Sequence, residues 1–359
     1  MKKTKDPDQE FYGEGSFGCV FRPSPECVGR EKNILKASTK TKNEVAKIFI
    51  DKDEYLVEKD AANRLLKADS KGNTILLPYS GCRTDYKNVL SLPISNECHE
   101  LNKMKAIYGD TGKLYMLKMP FGGPTLDQYV HTNKLTVKQF MQTILPVFDA
   151  IVKIRKIKYC HQDIKSTNIL VRDDGEMKDK AWLIDYSLIE TLHAIYNSQN
   201  RRRLRHSYFP YPPEYKLFSY IQDNLKTDRE KEDCKPFEKV LENILHFGAH
   251  RTKTYFTYHD RIETHKMVLD IYRLLSESYD NNKSEFKKWM TVNAAPKVDV
   301  YSLGMVLIDM DYLLSREGVS KDYLKKYSAF VARCTHPDFR KRYTAQGAYK
   351  MAKLLADNK

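Results

Sequence analysis

No apolar run in this chain is long enough to cross a bilayer. Its first residues, Met1-Lys2-Lys3-Thr4-Lys5-Asp6-Pro7-Asp8, lack the apolar stretch of a leader peptide. Neither a membrane span nor a secretory signal is therefore expected. The seven cysteines include no C-x-x-C pair, so neither a zinc site nor a disulfide framework is written in their spacing. Cys27, Cys82, Cys98 and His99 all fall in the first third of the chain and could converge on a metal. Ordinary reduced thiols are the expectation, and with them a reducing, aqueous compartment. No internal repeat is evident. Acidic residues are outnumbered, 47 against 61 Lys and Arg, which leaves a net charge of +14. That excess favours phosphates, nucleic acid, anionic lipid or acidic peptides as partners without choosing among them, and a well-solvated surface accounts for it equally well. What the chain does hold is 41% hydrophobic and 11% aromatic residues, enough for a sizeable core. Its 359 residues exceed one simple core and suit two packed lobes.

Residues 11–50 read as strand, turn, strand. Phe11-Tyr12 leads into Gly13-Glu14-Gly15-Ser16-Phe17-Gly18 and Cys19-Val20-Phe21; a polar stretch follows to about residue 43, then the apolar strand Val45-Ala46-Lys47-Ile48-Phe49-Ile50. From about 52 to 67, strong helix formers without Gly or Pro predict a helix. Residues 74–79, 88–94 and 114–119 read as further strands, and Phe121-Gly122-Gly123-Pro124 breaks the pattern as a hinge would. Beyond it Val137, Phe140, Met141, Ile144, Leu145, Phe148, Ile151 and Val152 mark one buried helix face, with a mild kink expected at Pro146. Short apolar runs at 168–171 and 181–184 flank the turn Arg172-Asp173-Asp174-Gly175, and helices are expected again over 300–314 and 323–334. The expected class is α+β, a small β-rich part over residues 1–118 and a larger α-helical part over 119–359.

Phosphoryl transfer needs a cradle for phosphates, a cation for their charge, ligands for Mg²⁺ and a base near the acceptor hydroxyl. Gly13, Gly15 and Gly18 form G-x-G-x-x-G, followed by Val20; glycines let the backbone approach phosphates with no Cβ in the way. Dinucleotide folds share this string but open a helix after it. Here it lies between strands, which leaves a phosphate cradle or a plain glycine-rich hairpin. Lys47 sits amid apolar residues and needs a paired charge: Glu58 at mid-helix is the leading candidate and Glu54, one turn earlier, the second. A strand-end lysine reaching solvent is the plain alternative.

The densest signal is Tyr159-Cys160-His161-Gln162-Asp163-Ile164-Lys165-Ser166-Thr167-Asn168-Ile169-Leu170. It resembles the catalytic loop of eukaryotic-type protein kinases, H-R-D-L/I-K-x-x-N-I/L-L. The resemblance implies a bilobal protein-kinase-like fold and assigns roles. Asp163 would accept the proton of the acceptor hydroxyl, Lys165 would stabilise the transferring phosphoryl group, and Asn168 would bind a second Mg²⁺. Leu183-Ile184-Asp185-Tyr186-Ser187 resembles D-F-G, which makes Asp185 the other metal ligand. Pro212-Pro213-Glu214 resembles A-P-E, with Glu214 paired to Arg340 or Arg342, which the spacing does not decide. Ser207 matches a substrate-positioning residue, and Asp299 in Val298-Asp299-Val300-Tyr301-Ser302-Leu303-Gly304 an anchor for the catalytic loop. Ala46 and Leu170 would sandwich adenine, which residues 118–121 would hydrogen-bond. The implied cofactors are ATP and Mg²⁺ or Mn²⁺, the implied substrates protein Ser/Thr hydroxyls, since a lysine two residues after the aspartate is the serine/threonine form. A pseudokinase scaffold is the alternative. A small-molecule kinase is disfavoured by Pro-Pro-Glu and Ser207, which serve extended acceptors.

Three departures stand out. Gln162 replaces the arginine that usually receives an activation-loop phosphate, so activity independent of that phosphorylation is expected. Ser187 replaces a glycine and should restrict flipping of Asp185. An insertion spans about 216–295, with one helical stripe at Phe237, Val240, Leu241, Ile244 and Leu245 and another at Val268, Ile271, Tyr272 and Leu275. It is expected to serve partner or substrate recognition, or simply to elaborate the structure. The basic run Arg201-Arg202-Arg203-Leu204-Arg205-His206 suits acidic or phosphorylated substrates, or is a solvated charge run. The opening Gly-Cys-Val-Phe-Arg-Pro-Ser-Pro-Glu-Cys and both insertions resemble kinases of large nucleocytoplasmic DNA viruses, which implies action in host cytoplasm and packaging into virions.

Overall fold

The computed structural model describes residues 10–15, 18–28, 44–91, 95–99, 101–102, 112–172, 180–197, 209–224, 242, 244–247 and 249–357. Ser207, the basic run at 201–206 and the stripe residues Phe237, Val240 and Leu241 lie outside them. The chain divides into two compact units, Met1–Gly123 with Ile184–Ser187, and Pro124–Leu183 with Leu188–Lys359. The N-terminal part is small and strand-rich, the C-terminal part larger and helical.

In the first unit β1 (Glu10–Gly15), β2 (Gly18–Arg22), β3 (Glu44–Phe49), β4 (Ser80–Asp85) and β5 (Lys113–Pro120) form one sheet in the order β1-β2-β3-β5-β4. All neighbours are antiparallel. The period-two alternation of β3 divides its side chains between two clusters. Ala46 and Ile48 pack with Phe21, Leu114 and Met116, whereas Phe49 packs with Leu117 and with Tyr55 of α1 (Lys52–Leu65). Lys47, two residues before Phe49, shares its face and so meets α1. Asp51 caps that helix, accepting from the Asp53 amide, and Tyr55, Glu58, Ala62 and Leu65 recur on its buried side. Gly18 is required where it stands: with φ at +154°, a Cβ there would sit 1.9 Å from the Ile48 carbonyl oxygen of the next strand.

Two expectations fail between α1 and β5. Residues 74–79 form no strand, because the Asp69 carboxylate accepts from the amides of Thr74 and Ile75 at 2.7 and 2.9 Å and occupies donors a neighbouring strand would use. The strand comes next, as β4, and 86–90 is instead a short helix, α2 (Tyr86–Leu90), which buries Tyr86 and Val89 at i, i+3. The cysteine expectation is also overturned. Cys19 is bonded to Cys98 and Cys27 to Cys82, so these four are neither thiols nor metal ligands, and the cysteines no longer argue for a reducing compartment.

The second unit opens with α3 (Leu126–Thr132) and α4 (Val137–Lys156), each started by a capping box, Thr125 with Gln128 and Thr136 with Gln139. The predicted stripe faces inward on α4, with Pro146 inside the helix. Two short antiparallel pairs follow: β6 (Tyr159–Cys160) pairs with β9 (Glu190–Thr191), and β7 (Ile169–Arg172) with β8 (Lys180–Leu183). Then come α5 (Leu192–Asn197), α6 (Pro213–Asn224), α7 (Ala249–Tyr258), α8 (Arg261–Asn281), α9 (Lys283–Asn293), α10 (Val298–Met310), α11 (Lys321–Cys334) and α12 (Ala345–Asp357). Every residue of α10 is buried, the mark of a helix at the centre of a core. The helices over 216–295 join this core through rings: Phe218 of α6 packs against Tyr279 of α8 and Phe286 of α9, and Trp289 against Phe339. Among the described residues no helix is long and apolar enough to cross a membrane.

Candidate active site

Each unit holds a cluster of charged and polar side chains that its own elements create. In the first, β3 carries Lys47 into an almost dry position, 9% exposed. Its ammonium lies 2.5 Å from Glu58 and 3.6 Å from Oδ1 of Asp185. Glu54, the other carboxylate considered, is not its partner in this arrangement. Burial opposes the charge on Lys47, but the carboxylates of Glu58 and then Asp185 outweigh it and raise its pKa. Burial pushes the Glu58 carboxyl up, and the ammonium pulls it back. Asp185 has a left-handed backbone with φ 60°, and the Ser187 amide donates to its Oδ1 at 3.4 Å. The strain expected at Ser187 therefore falls on Asp185: Ser187 is not among the residues with positive φ. Tyr186 is buried, and its hydroxyl donates to the Leu76 carbonyl.

In the second unit the turn between β6 and β7 holds Asp163, 5% exposed. Lys165 Nζ donates to Asp163 Oδ2 at 3.2 Å, and Asn168 Nδ2 donates to the same oxygen at 2.8 Å and to the Asp163 carbonyl at 2.9 Å. The carboxylate is thus aimed by two side chains that meet on one oxygen. The backbone is aimed from below: Asp299 on α10 accepts the His161 amide at 2.9 Å and the Gln162 amide at 3.0 Å, one per oxygen. Burial raises the Asp299 pKa against the pull of His161 and these two amides. Gln162 is the left-handed residue of the turn, φ 67°, and its side chain is used at both ends. Nε2 donates to the Leu188 carbonyl at 2.7 Å, and Oε1 accepts from the Tyr215 hydroxyl at 2.5 Å. Tyr215 was not singled out in the sequence; its place directly after Glu214 was the only signal it offered.

Glu214, on the first turn of α6, is bidentate to Arg342 at 2.7 and 3.1 Å with both side chains fully buried. Arg340 turns instead to Asp338. Gly13 and Gly15 are in β1, where Gly13 faces Val20 and Gly15 faces Gly18 across the hairpin. Ala46 is fully buried in β3, and Leu170 is half-buried in β7, opposite Trp182. Of the stretch expected to meet adenine, residues 118–120 belong to β5, and the Lys118 carbonyl already accepts the Tyr79 amide at 2.9 Å.

No protein-family model matches the chain. It is similar to cyclin-dependent kinase 9 of Danio rerio, at 24% identity over 194 residues, a match that covers 53% of this chain and 43% of that protein. The chain thus spans less than half the length of the curated relative it matches, and what the two share is a kinase-like relationship.

Proposed function

We propose that the chain is an ATP-dependent protein kinase that transfers the γ-phosphate to protein Ser/Thr hydroxyls. The observation that carries this reading is the Asp163 carboxylate, nearly buried, oriented by Lys165 and Asn168 on a turn whose backbone Asp299 holds. A carboxylate so placed suits a base that draws the proton from an acceptor hydroxyl while the oxygen attacks phosphorus. Lys165 would then move its positive charge toward the phosphoryl oxygens, and Lys47, kept charged by Glu58, would hold the nucleotide's phosphates. Asp185 and the amide oxygen of Asn168, whose nitrogen is spent on Asp163, are hard oxygen donors of the kind Mg²⁺ or Mn²⁺ takes alongside phosphates. A metal held by such a donor would neutralise charge on the β- and γ-phosphates.

In this reading residues 1–118 form a nucleotide-binding lobe that offers Gly13, Gly15, Gly18, Val20 and Ala46 to the nucleotide, and residues 119–359 carry the catalytic loop and Leu170, the other residue assigned to adenine. Ser207 would position the acceptor. The finer likeness to kinases of large nucleocytoplasmic DNA viruses, with host cytoplasm and virion as its places of action, belongs to the same proposal. The test is transfer from labelled ATP, with Mg²⁺ and then Mn²⁺, to mixed protein acceptors. We expect phosphoserine or phosphothreonine from the wild type and a loss of at least about a hundredfold in Asp163→Asn. Tight ATP binding without transfer by either protein would favour the scaffold.

A further inference from the structure

The inserted segment contributes one side chain to the loop that follows Ser207. Arg251, on α7, lies with its guanidinium 4.4 Å from the centroid of the Phe209 ring. The guanidinium is itself pinned. Nε donates to Asp309 Oδ1 at 2.6 Å and Nη2 to Oδ2 at 3.2 Å, and Asp309, near the end of α10, is 6% exposed. A fork held at two points fixes the plane of the group, so its face is presented to the ring in one orientation. The residues after Phe209 are held by other means. Ser302 Oγ donates to the Pro210 carbonyl at 2.8 Å, and Tyr211 stacks on Tyr215 at 4.9 Å between centroids. Tyr215 in turn reaches Gln162, the neighbour of Asp163. The loop is thus tied to α10, to the catalytic turn and, through Arg251, to the insertion.

We propose that Arg251 is a positioning residue for the polypeptide acceptor: by holding Phe209 it sets the segment beside Ser207 in the pose that receives the substrate. The proposal rests on the kinase reading and gives the insertion a part in choosing acceptors. Charge alone cannot do this. A lysine keeps the charge but loses the planar fork and the stacked face.

The full-length protein is compared with Arg251→Ala, Arg251→Lys, Phe209→Leu and Phe209→Tyr. We expect KM for a polypeptide acceptor to rise about tenfold in the first three while KM for ATP does not move, and Phe209→Tyr, which keeps a ring, to restore it. Arg251→Ala combined with Phe209→Leu should raise the acceptor KM no further than Arg251→Ala alone, because the stack is already lost in that variant. Phe209→Leu leaves Asp309 paired and so reports on the stack even if Arg251→Ala fails to fold. Hydrogen exchange at the Phe209 and Tyr211 amides supplies a readout without catalysis, expected faster in the same three variants. Unchanged acceptor KM together with unchanged exchange overturns the proposal. If the wild type transfers no phosphate, the kinase reading fails on that result, and exchange alone decides whether Arg251 positions the loop.

Discussion

A neutral amide does at position 162 what a charged pair does in many switches. Gln162 bridges the Leu188 carbonyl and the Tyr215 hydroxyl, so the segment after Asp185 and the start of α6 are both tied to the Asp163 turn without any added anion. In the proposed kinase this makes the active arrangement of that turn a ground state rather than one a phosphate must create. Tyr215→Phe deletes the hydroxyl yet keeps the ring against Tyr211 and Tyr196. Its expected effect is a roughly tenfold fall in kcat, KM for ATP unchanged, and a loss of about 1 kcal/mol in stability. Steady-state kinetics beside denaturant titration checks both. Phosphatase treatment of the wild type should leave its activity where it was; loss of activity would show that the bridge does not suffice.

At the scale of elements, the two disulfides are nested, Cys27–Cys82 inside Cys19–Cys98, with sequence separations of 55 and 79. Both loops enclose β3 and α1, the elements that carry Lys47 and Glu58. Closing a loop of that length removes unfolded-state entropy worth about 4 kcal/mol, and because the loops overlap the second adds less than the first. Reduction by a dithiol should therefore lower the melting temperature of the first unit, and Cys19→Ser with Cys27→Ser should reproduce the shift. Identical melting curves before and after reduction would deny the bonds a role in stability. None of this was legible in the sequence, since an odd number of cysteines without paired spacing shows no partner until the sheet brings β2 and β4 to theirs. What was legible is what depends on local periodicity or on a dense motif. The stripe on α4, the face of α8 and the β7–β8 hairpin were all readable. The run at 74–79 was not, because a single carboxylate, Asp69, decided it, and the choice between Arg340 and Arg342 was not, because both lie on one turn.

For the molecule as a whole, burial of cations sets how stability follows pH. Lys216 on α6 is fully buried, its partners among the described residues being the Ile244 carbonyl, at 3.0 Å, and the Phe247 ring, and burial drops its pKa from 10.5 to about 7. Between those values the unfolded chain binds the proton and the folded one does not, so this group makes stability rise from pH 7 to 10.5. His259 acts likewise at lower pH. Burial, then the charges of His336 and Arg342, depress it from 6.5 to about 4, and stability is lost as pH falls across that span. Lys216→Met is expected to raise the melting temperature at pH 7 and to gain progressively less toward pH 10.5, as seen by calorimetry over that range. A gain that did not vary with pH would mean packing, not charge, was responsible. The largest consequence belongs to α10. Asp299, which grips the backbone beside Asp163, rides on a helix with no residue at the surface. The Asp163 turn cannot loosen at its root unless that helix is laid bare, and laying it bare is the collapse of the whole unit. Heat should free the Asp163 turn and melt the second unit in the same step, with no cooler form in which that unit stands and the turn is loose.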